Sequence, residues 1–372
     1  MKNFKVTNIL TEQYSKGTDA ILLAHTLTGT VRGKSINGLL IHQNLFNIKA
    51  IVDNKAVGKL TSEICQGVNQ NVPIYPNMEI AVHFHSSKVL IILSDPEEYW
   101  HSDIKMALSH NMDIINTTFK FVKNTPSVIA LIGLYKVKYF DIRDVSEIKA
   151  YPNDKVLQRK SKVVLVTGTD CGLGKRTAAY ELKKEAERRG LKAVMLSTGQ
   201  TGLMLGEPGI CIDGLTMEYS NGIISETIVQ LSALKYDFIF VEGQADIFHP
   251  AYSPGTISLL HGSNPDCIIL VHDDTRKTHK GFDETSELYI MPHFSRYIET
   301  FKLLSLPCGP EYNTIGIATI GKENIKNIQK QILNKDIIVG DVRTKEGPVL
   351  LMDRILEYTC FLHNEVFESI NN

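Results

Sequence analysis

The chain has 372 residues, more than the roughly 100–200 residues of an average domain, so we expect two domains. Hydrophobic residues make up 43% and charged residues 22%, a balance typical of globular proteins that excludes fibrous and disordered classes. The chain has 40 Lys and Arg residues and 41 Asp and Glu residues, which gives a net charge of -1. We therefore expect neither nucleic acid nor an anionic membrane as a partner.

Apolar runs and cysteines define the expected compartment. Residues 1–10 lack the continuous apolar core of a secretory signal, and runs such as residues 89–93 are too short to cross a bilayer. The six cysteines are scattered and never show a Cys-x-x-Cys spacing, so no disulfide framework and no metal site is predicted. These features predict a cytoplasmic protein.

In the first part of the chain, short β-branched runs alternate with amphipathic stretches. The pattern predicts strands at residues 38–42, 48–53, 88–93, 112–116 and 128–134. It predicts a helix at 99–111, because Trp100, Ile104, Ala107 and Leu108 share one helical face. This alternation is typical of a Rossmann-like N-terminal domain, assigned to residues 1–150. Since no Gly-x-Gly-x-x-Gly follows the first predicted strand, dinucleotide binding is not expected.

A polar segment at 147–162 marks the predicted domain boundary. The second domain, residues 151–372, is predicted to be a P-loop NTPase-like α/β domain with a parallel sheet. Its strands are predicted at residues 163–167, 193–197, 238–241, 267–272 and 314–318, and its helices at 175–189, 225–234 and 322–333.

The most informative segment follows the strand at 163–167 and runs directly into a helix. It consists of Gly168, Thr169, Asp170, Cys171, Gly172, Leu173, Gly174, Lys175, Arg176 and Thr177. In such a loop the glycines permit close backbone approach, and successive N–H groups and the helix N-terminus bind phosphate oxygens. Lys175 adds a full positive charge. The sequence therefore predicts a phosphate-binding loop.

Two departures from the usual Gly-x-x-x-x-Gly-Lys-Ser/Thr pattern bear on the ligand. Gly168 lies one residue early, and Arg176 occupies the position of the hydroxyl that normally binds Mg²⁺. An arginine cannot ligate a metal ion, and it brings a second fixed charge to the bound phosphate. Two alternatives stay open: Thr177 supplies the hydroxyl after a one-residue shift, or Arg176 points outward.

Other predicted strand ends carry polar residues. Glu242 directly follows the strand at 238–241 and resembles a Walker B acid. It lies at the carboxyl end of that strand, where the sites of open α/β sheets gather. A third strand leads into the small polar segment 198–202. His249, His261 and His272 are candidate general bases.

Five motifs run through the second half of the chain: Gly-Thr-Asp-Cys-x-x-Gly-Lys-Arg-Thr at 168–177, Thr-Gly-Gln-Thr-Gly at 198–202, Val-Glu-Gly-Gln at 241–244, His-Pro-Ala-Tyr-Ser at 249–253 and Leu-His-Gly-Ser-x-Pro-Asp at 260–266. Together they resemble the D-glutamate N-acetyltransferase-like family, long classified as a domain of unknown function. The phosphate loop and Val-Glu-Gly also resemble dethiobiotin synthetase, a P-loop ligase. The first resemblance covers most of the chain and implies a P-loop domain preceded by a Rossmann-like domain.

The family resemblance implies transfer of an acetyl group from acetyl-CoA to the amine of an amino acid such as D-glutamate. Coenzyme A carries a pyrophosphate and a 3′-phosphate, which suit a loop with two cations and no obvious Mg²⁺ hydroxyl. The expected base is Glu242 or His249. We assign substrate binding to Gly199, Gln200, Thr201, Gln244, Ser253, His261 and Arg276, with Arg276 holding the acceptor carboxylate.

Two other functions remain open from the sequence. The first alternative is an ATP-dependent kinase or ligase in which Thr177, Asp170 or Glu242 holds Mg²⁺. The second is a nucleotide-sensing module without catalysis. In each case the expected partner is a small molecule, an amino acid for the enzyme, and the chain is expected to form a homo-oligomer.

Overall fold

The computed structural model describes residues 6–30, 32–42, 45–95, 97–279 and 289–370, with backbone alone at 97–99 and 361–370. The chain divides into two compact units. The first unit comprises residues 7–147 and 200–214, and the second unit residues 1–6, 148–199 and 215–372. A division at residue 150 would place residues 200–214 in the second domain, whereas the structure places them in the first unit.

The first unit contains a six-stranded parallel sheet. Its elements are β1 Thr18–Leu23, α1 Lys34–Ile41, β2 Phe46–Val52, α2 Thr61–Ile64, β3 Ile74–Tyr75, α3 Met78–Phe84, β4 Val89–Ile92, α4 Glu97–Ser109, β5 Asp113–Asn116, α5 Pro126–Tyr135 and β6 Tyr139–Asp141. The strand order is β3-β2-β1-β4-β5-β6, all parallel. This is the strand order of the Rossmann fold, as the sequence predicts.

Periodicity correctly located the helix α4 and three strands of this sheet, β2, β4 and β5. The four residues expected on one face of α4 are all fully buried; they are Trp100, Ile104, Ala107 and Leu108. They pack with strand residues such as Leu90 and Ile114 in one hydrophobic cluster. This layer is therefore built as the hydrophobic pattern indicates.

The prediction of strands at 38–42 and 128–134 was wrong. The first segment belongs to α1, in which Ile36, Leu39 and Leu40 are buried at helical spacing. The second belongs to α5, which begins with Pro126 and ends before Lys136 in the left-handed conformation. Short apolar runs fit a buried strand and a buried helix equally well, so periodicity alone does not separate them. The central strand β1 was missed.

The second unit contains another six-stranded parallel sheet. Its elements are β7 Lys162–Gly168, α6 Lys175–Arg188, β8 Ala193–Leu196, α8 Met217–Ala233, β9 Phe238–Glu242, α9 Ser253–Ser263, β10 Cys267–Val271, α10 Phe294–Leu303, β11 Thr314–Thr319, α11 Lys322–Gln331, β12 Ile338–Asp341 and α12 Glu346–Ile370. The intervening α7, Gln200–Met204, lies in the first unit. The order β12-β11-β10-β7-β9-β8 places β7 between β9 and β10.

All five strands and three helices predicted for this half are present, although α8 begins eight residues before the predicted 225. The strands are buried along almost their whole length because helices cover both faces of the sheet. Within the described part of the chain, no helix is both long and apolar enough to cross a membrane.

A buried carboxylate organises the first turn of the Rossmann-like unit. Asp53 follows β2 and is fully buried. Its Oδ1 accepts hydrogen bonds from the N–H groups of Thr26 and Lys55, and its Oδ2 from the N–H of Thr28, each at 2.9 Å. In dinucleotide-binding Rossmann domains an acid near this strand end binds a ribose hydroxyl. Here both carboxylate oxygens accept hydrogen bonds from the protein itself.

We expect Asp53→Asn to lower the free energy of unfolding by about 1–3 kcal/mol, because the new amide N–H₂ would face the N–H of Thr28. Hydrogen exchange should show faster exchange of the Thr26 and Thr28 amides. Asp19→Asn is the control, since the Asp19 side chain accepts an exposed hydrogen bond from Asn47. Equal amide protection in both variants would contradict this structural role for Asp53.

Candidate functional site

The loop between β7 and α6 has the backbone of a phosphate-binding loop. Gly172 and Gly174 adopt positive φ angles of 71° and 102°, which side chains other than glycine rarely tolerate. Lys175 begins α6 and is buried, and its Nζ donates a hydrogen bond to the carbonyl oxygen of Asp170 at 2.6 Å. The loop thus curls around the lysine side chain and presents its backbone beside the N-terminus of α6.

Two glycines let neighbouring strands approach the stem of Lys175. A Cβ on Gly168 would lie 3.0 Å from the carbonyl oxygen of Val271 and 3.1 Å from Cδ of Lys175. A Cβ on Gly243 would lie 2.3 Å from the carbonyl oxygen of Val166 and 3.1 Å from the same Cδ. Glycine at 168 and 243 is therefore a packing requirement of the loop.

The ends of β7 and β10 meet where the chain leaves the two strands in opposite directions, which is where ligands bind in open α/β sheets. Thr169 is fully buried at this point. Its N–H donates to the carbonyl oxygen of Val271 at 3.0 Å, and its Oγ1 lies 2.9 Å from Nδ1 of His272. Tyr297 of α10 donates its hydroxyl to the carbonyl oxygen of Thr169 at 3.0 Å. The loop is thus anchored on the β10 side.

A cluster of charged side chains surrounds Asp170, whose side chain is fully buried. Arg276 donates from Nη1 to Oδ2 of Asp170 at 2.8 Å and to the carbonyl oxygen of Cys171 at 2.7 Å. His279 Nδ1 lies 3.6 Å from Oδ1 of Asp170 and 3.4 Å from Oδ2 of Asp246. Arg276, predicted to hold a substrate carboxylate, is thus paired with the loop itself.

The carboxylates of Asp170 and Asp246 shift the pKa values of neighbouring groups. Burial opposes protonation of His279, but Asp170 and Asp246 outweigh it and raise the pKa of His279 to about 9. Burial, together with the charges of Asp246 and Asp170, also raises the pKa of the Tyr297 hydroxyl. Both effects follow from two carboxylates confined in a region of low dielectric.

Glu242 lies at the end of β9, as predicted, and is 6% exposed. Its Oε2 accepts hydrogen bonds from the N–H of Thr198 at 3.2 Å and from Oγ of Ser197 at 3.4 Å. Burial lowers the pKa of Arg176, and the charge of Glu242 acts in the opposite direction. An arginine stays protonated nevertheless. The Walker B-like carboxylate therefore lies in the field of the arginine that replaces the magnesium hydroxyl.

His249 is fully buried, and burial lowers the pKa of its imidazole. Its Nδ1 accepts a hydrogen bond from the N–H of Ala251 at 3.2 Å. In the neutral ring this bond assigns the proton to Nε2. His249 therefore presents a hydrogen-bond donor, which suits stabilisation of developing negative charge better than removal of a proton.

The structure brings together only part of the predicted substrate-binding set. Gln244 lies beside the strand end and donates from Nε2 to Oγ1 of Thr198 at 3.0 Å, and a Cβ on Gly199 would lie 3.0 Å from that Nε2. Ser253 is the first residue of α9, and its N–H donates to the carbonyl oxygen of His249. These residues belong to the second unit.

Three other predicted residues belong to α7 and to the end of α9. Gln200 and Thr201 are on α7 in the first unit, where both contact Oγ of Ser35. His261 lies in the last turn of α9, just before the start of β10, and its Nε2 is 3.2 Å from the carbonyl oxygen of Leu304. Since the phosphate loop follows the opposite ends of the parallel strands, α9 carries His261 away from it.

Sequence reasoning missed Asp246 and His279. Asp246 stands only four residues after Glu242, so an acid just beyond a strand end was an available signal. His279 gave no signal in the sequence, because its position depends on contacts with a later segment. Thr278 and Ile290 form an antiparallel bridge, and the N–H of His279 donates to the carbonyl oxygen of Tyr289 at 2.8 Å.

The parallel sheet, the glycine-bounded loop and the buried lysine at the start of α6 define a P-loop α/β protein. Residues 150–336 match the family described as Domain of unknown function (DUF1611_C) P-loop domain. The chain belongs to this family.

Relatives and a solved structure agree with this assignment. A D-glutamate N-acetyltransferase of Tritonibacter scottomollicae is 27% identical over 237 residues, which are 63% of this chain and 69% of that protein. One from Pseudoalteromonas sp is 27% identical over 60% of this chain and 64% of its own length. The crystal structure of a DUF1611 family protein from Anabaena variabilis ATCC 29413 is 25% identical, with a TM-score of 0.82, covering 92% of this chain and all of that one.

The buried His272 predicts a specific pH dependence of stability. Burial lowers its pKa to about 4, whereas an unfolded histidine has a pKa near 6.5. As the pH falls from 6.5 to 4, the unfolded state therefore binds a proton that the native state excludes, and stability is lost in that window. This histidine should lower the free energy of unfolding by about 2 kcal/mol between pH 7 and pH 5.

The measurement is urea unfolding at both pH values. His272→Asn, which retains a hydrogen-bonding atom facing Thr169, should lose that part of the pH dependence. His293→Asn is the control, because His293 is an exposed cap of α10. If the free energy of unfolding of His272→Asn changes with pH as much as that of the wild type, the native state does not exclude a proton from His272.

Proposed function

We propose that this protein is an N-acyltransferase that moves the acetyl group of acetyl-CoA to the amine of an acidic amino acid, with D-glutamate as the first acceptor to test. The observation that carries the proposal is the pair of cations at the start of α6, with Arg176 in place of a magnesium-binding hydroxyl and in the field of Glu242. The names of the two curated relatives support the same reaction.

Charge is the reason for preferring coenzyme A as the ligand. Its pyrophosphate and 3′-phosphate can be neutralised by Lys175, Arg176 and the N–H groups of the loop without a metal ion. A nucleoside triphosphate in transfer chemistry usually needs Mg²⁺ to bridge its phosphates. Arginine at 176 supplies permanent charge instead of a metal ligand.

The transfer itself needs a base and an oxyanion donor. The amine nitrogen attacks the thioester carbonyl carbon, its proton passes to a base, the C–S bond breaks and the coenzyme A thiolate leaves. Glu242 is the proposed base, since it lies at the strand end beside the phosphate loop. His249, with its proton on Nε2, is the proposed donor to the developing oxyanion.

The main experiment incubates the purified protein with acetyl-CoA and D-glutamate and measures free thiol together with N-acetylated product. Lys175→Met should lower kcat/KM for acetyl-CoA about 10–100-fold, because it removes a charge-assisted phosphate contact. Lys184→Met is the matched control on the exposed side of the same helix. A reaction that requires Mg·ATP and consumes it would replace this proposal with a ligase or kinase.

The assignment of the base predicts a distinct effect of Glu242→Gln. This isosteric change should retain acetyl-CoA binding, measured by calorimetry, and lower kcat about 100-fold or more, the usual contribution of a general base. The variant should also lose the acidic limb of the pH–rate profile. An undiminished rate constant would eliminate Glu242 as the base without affecting the proposed reaction.

A further inference from the structure

Asp170, Asp246 and His279 form a convergent set of ligand-type atoms beside the phosphate loop. Each side chain is at least 98% buried, and one carboxylate oxygen from each aspartate and one imidazole nitrogen lie within 4.8 Å of one another. We propose that these three residues bind a divalent transition-metal ion, with Zn²⁺ as the ion that fits their donors best.

One oxygen of each carboxylate lies near Nδ1 of His279. Asp246 Oδ1 accepts a hydrogen bond from the N–H of Phe248 at 2.7 Å, and its Oδ2 faces the histidine. Asp170 Oδ2 accepts a hydrogen bond from Arg276, and its Oδ1 lies 3.6 Å from the same nitrogen. Hydrogen bonds of this kind orient carboxylates that bind metal ions.

The ion pairs between His279 and the two carboxylates are longer than good hydrogen bonds. Among the described residues, Oδ2 of Asp246 and Nδ1 of His279 are buried and make no hydrogen bond, although they lie 3.4 Å apart. A buried polar atom without a hydrogen bond destabilises the folded state. A bound cation would satisfy both atoms at once.

The spacing fits an ion of zinc size. With metal–ligand distances near 2.1 Å, the edge of a tetrahedron of ligands measures about 3.4 Å. The nitrogen of His279 lies 3.4 Å from Asp246 Oδ2 and 3.6 Å from Asp170 Oδ1. These separations exceed good hydrogen-bond lengths and match two edges of such a tetrahedron.

The donor set discriminates between ions. One imidazole and two carboxylates suit Zn²⁺ and related transition metals, whereas Mg²⁺ prefers oxygen ligands and gives up its waters reluctantly. Three protein ligands leave a fourth position for water or for an oxygen of a bound ligand. Ion binding does not depend on the proposed acyl transfer and is measured without substrate.

The test is calorimetric titration of the chelator-treated full-length chain with ZnCl₂, and separately with MgCl₂, together with metal analysis of the protein as purified. We expect about one Zn²⁺ per chain and weaker binding of Mg²⁺. Asp246→Asn and His279→Gln should each weaken Zn²⁺ binding at least about 100-fold, more than loss of an outer-shell contact does. Zn²⁺ should also raise the melting temperature of the wild type but not of these variants.

Two matched variants control for binding to surface groups. Asp237→Asn alters an acid that caps the opposite end of the sheet, and His293→Gln alters an exposed histidine. Both should bind Zn²⁺ as the wild type does. A wild type that takes up no ion, or cluster variants that bind Zn²⁺ with unchanged affinity, would overturn the proposal and identify the three residues as a proton-bridged ion cluster.

Discussion

The buried carboxylate of Asp170 is the constraint on which the second unit depends. A charge removed from water is tolerated only when it is paired or hydrogen-bonded. Arg276 and His279, which follow β10, approach its two oxygens, and Asp246, which follows β9, approaches the same histidine. Because β7 lies between β9 and β10, one carboxylate at the end of β7 can link the segments that follow all three strands.

Arg276 is one of three cations at the phosphate loop, together with Lys175 and Arg176. Arg276 is committed to Asp170 and to the carbonyl oxygen of Cys171. Lys175 and Arg176 are the cations at the start of α6, and both lie where the helix N-terminus adds partial positive charge. A phosphate loop is a way of holding an anion, and magnesium chemistry requires a separate hydroxyl. In this sequence Arg176 occupies the position of that hydroxyl.

Sequence patterns predicted much of this fold but little of its charge network. Contiguous features, such as the phosphate loop and the helical face of Trp100, were readable because local spacing encodes them. The apolar segment 38–42 was misassigned because its few residues carry no decisive period. Asp246 and His279 meet Asp170 only after the sheet has formed, so their partnership depends on strand order and not on local pattern. The place of Gln200 and Thr201 in the first unit depends on tertiary packing in the same way.

Buried carboxylates are hydrogen-bonded differently in the two units. In the first unit, both oxygens of Asp53, Asp103 and Asp113 accept hydrogen bonds from the protein itself. The Rossmann strand order of this unit does not by itself define a function. In the described part of the second unit, Oδ2 of Asp246 and Nδ1 of His279 face each other at 3.4 Å and make no hydrogen bond. Buried polar groups without a hydrogen bond lower the stability of the folded state. Proteins tolerate this loss mainly at functional sites.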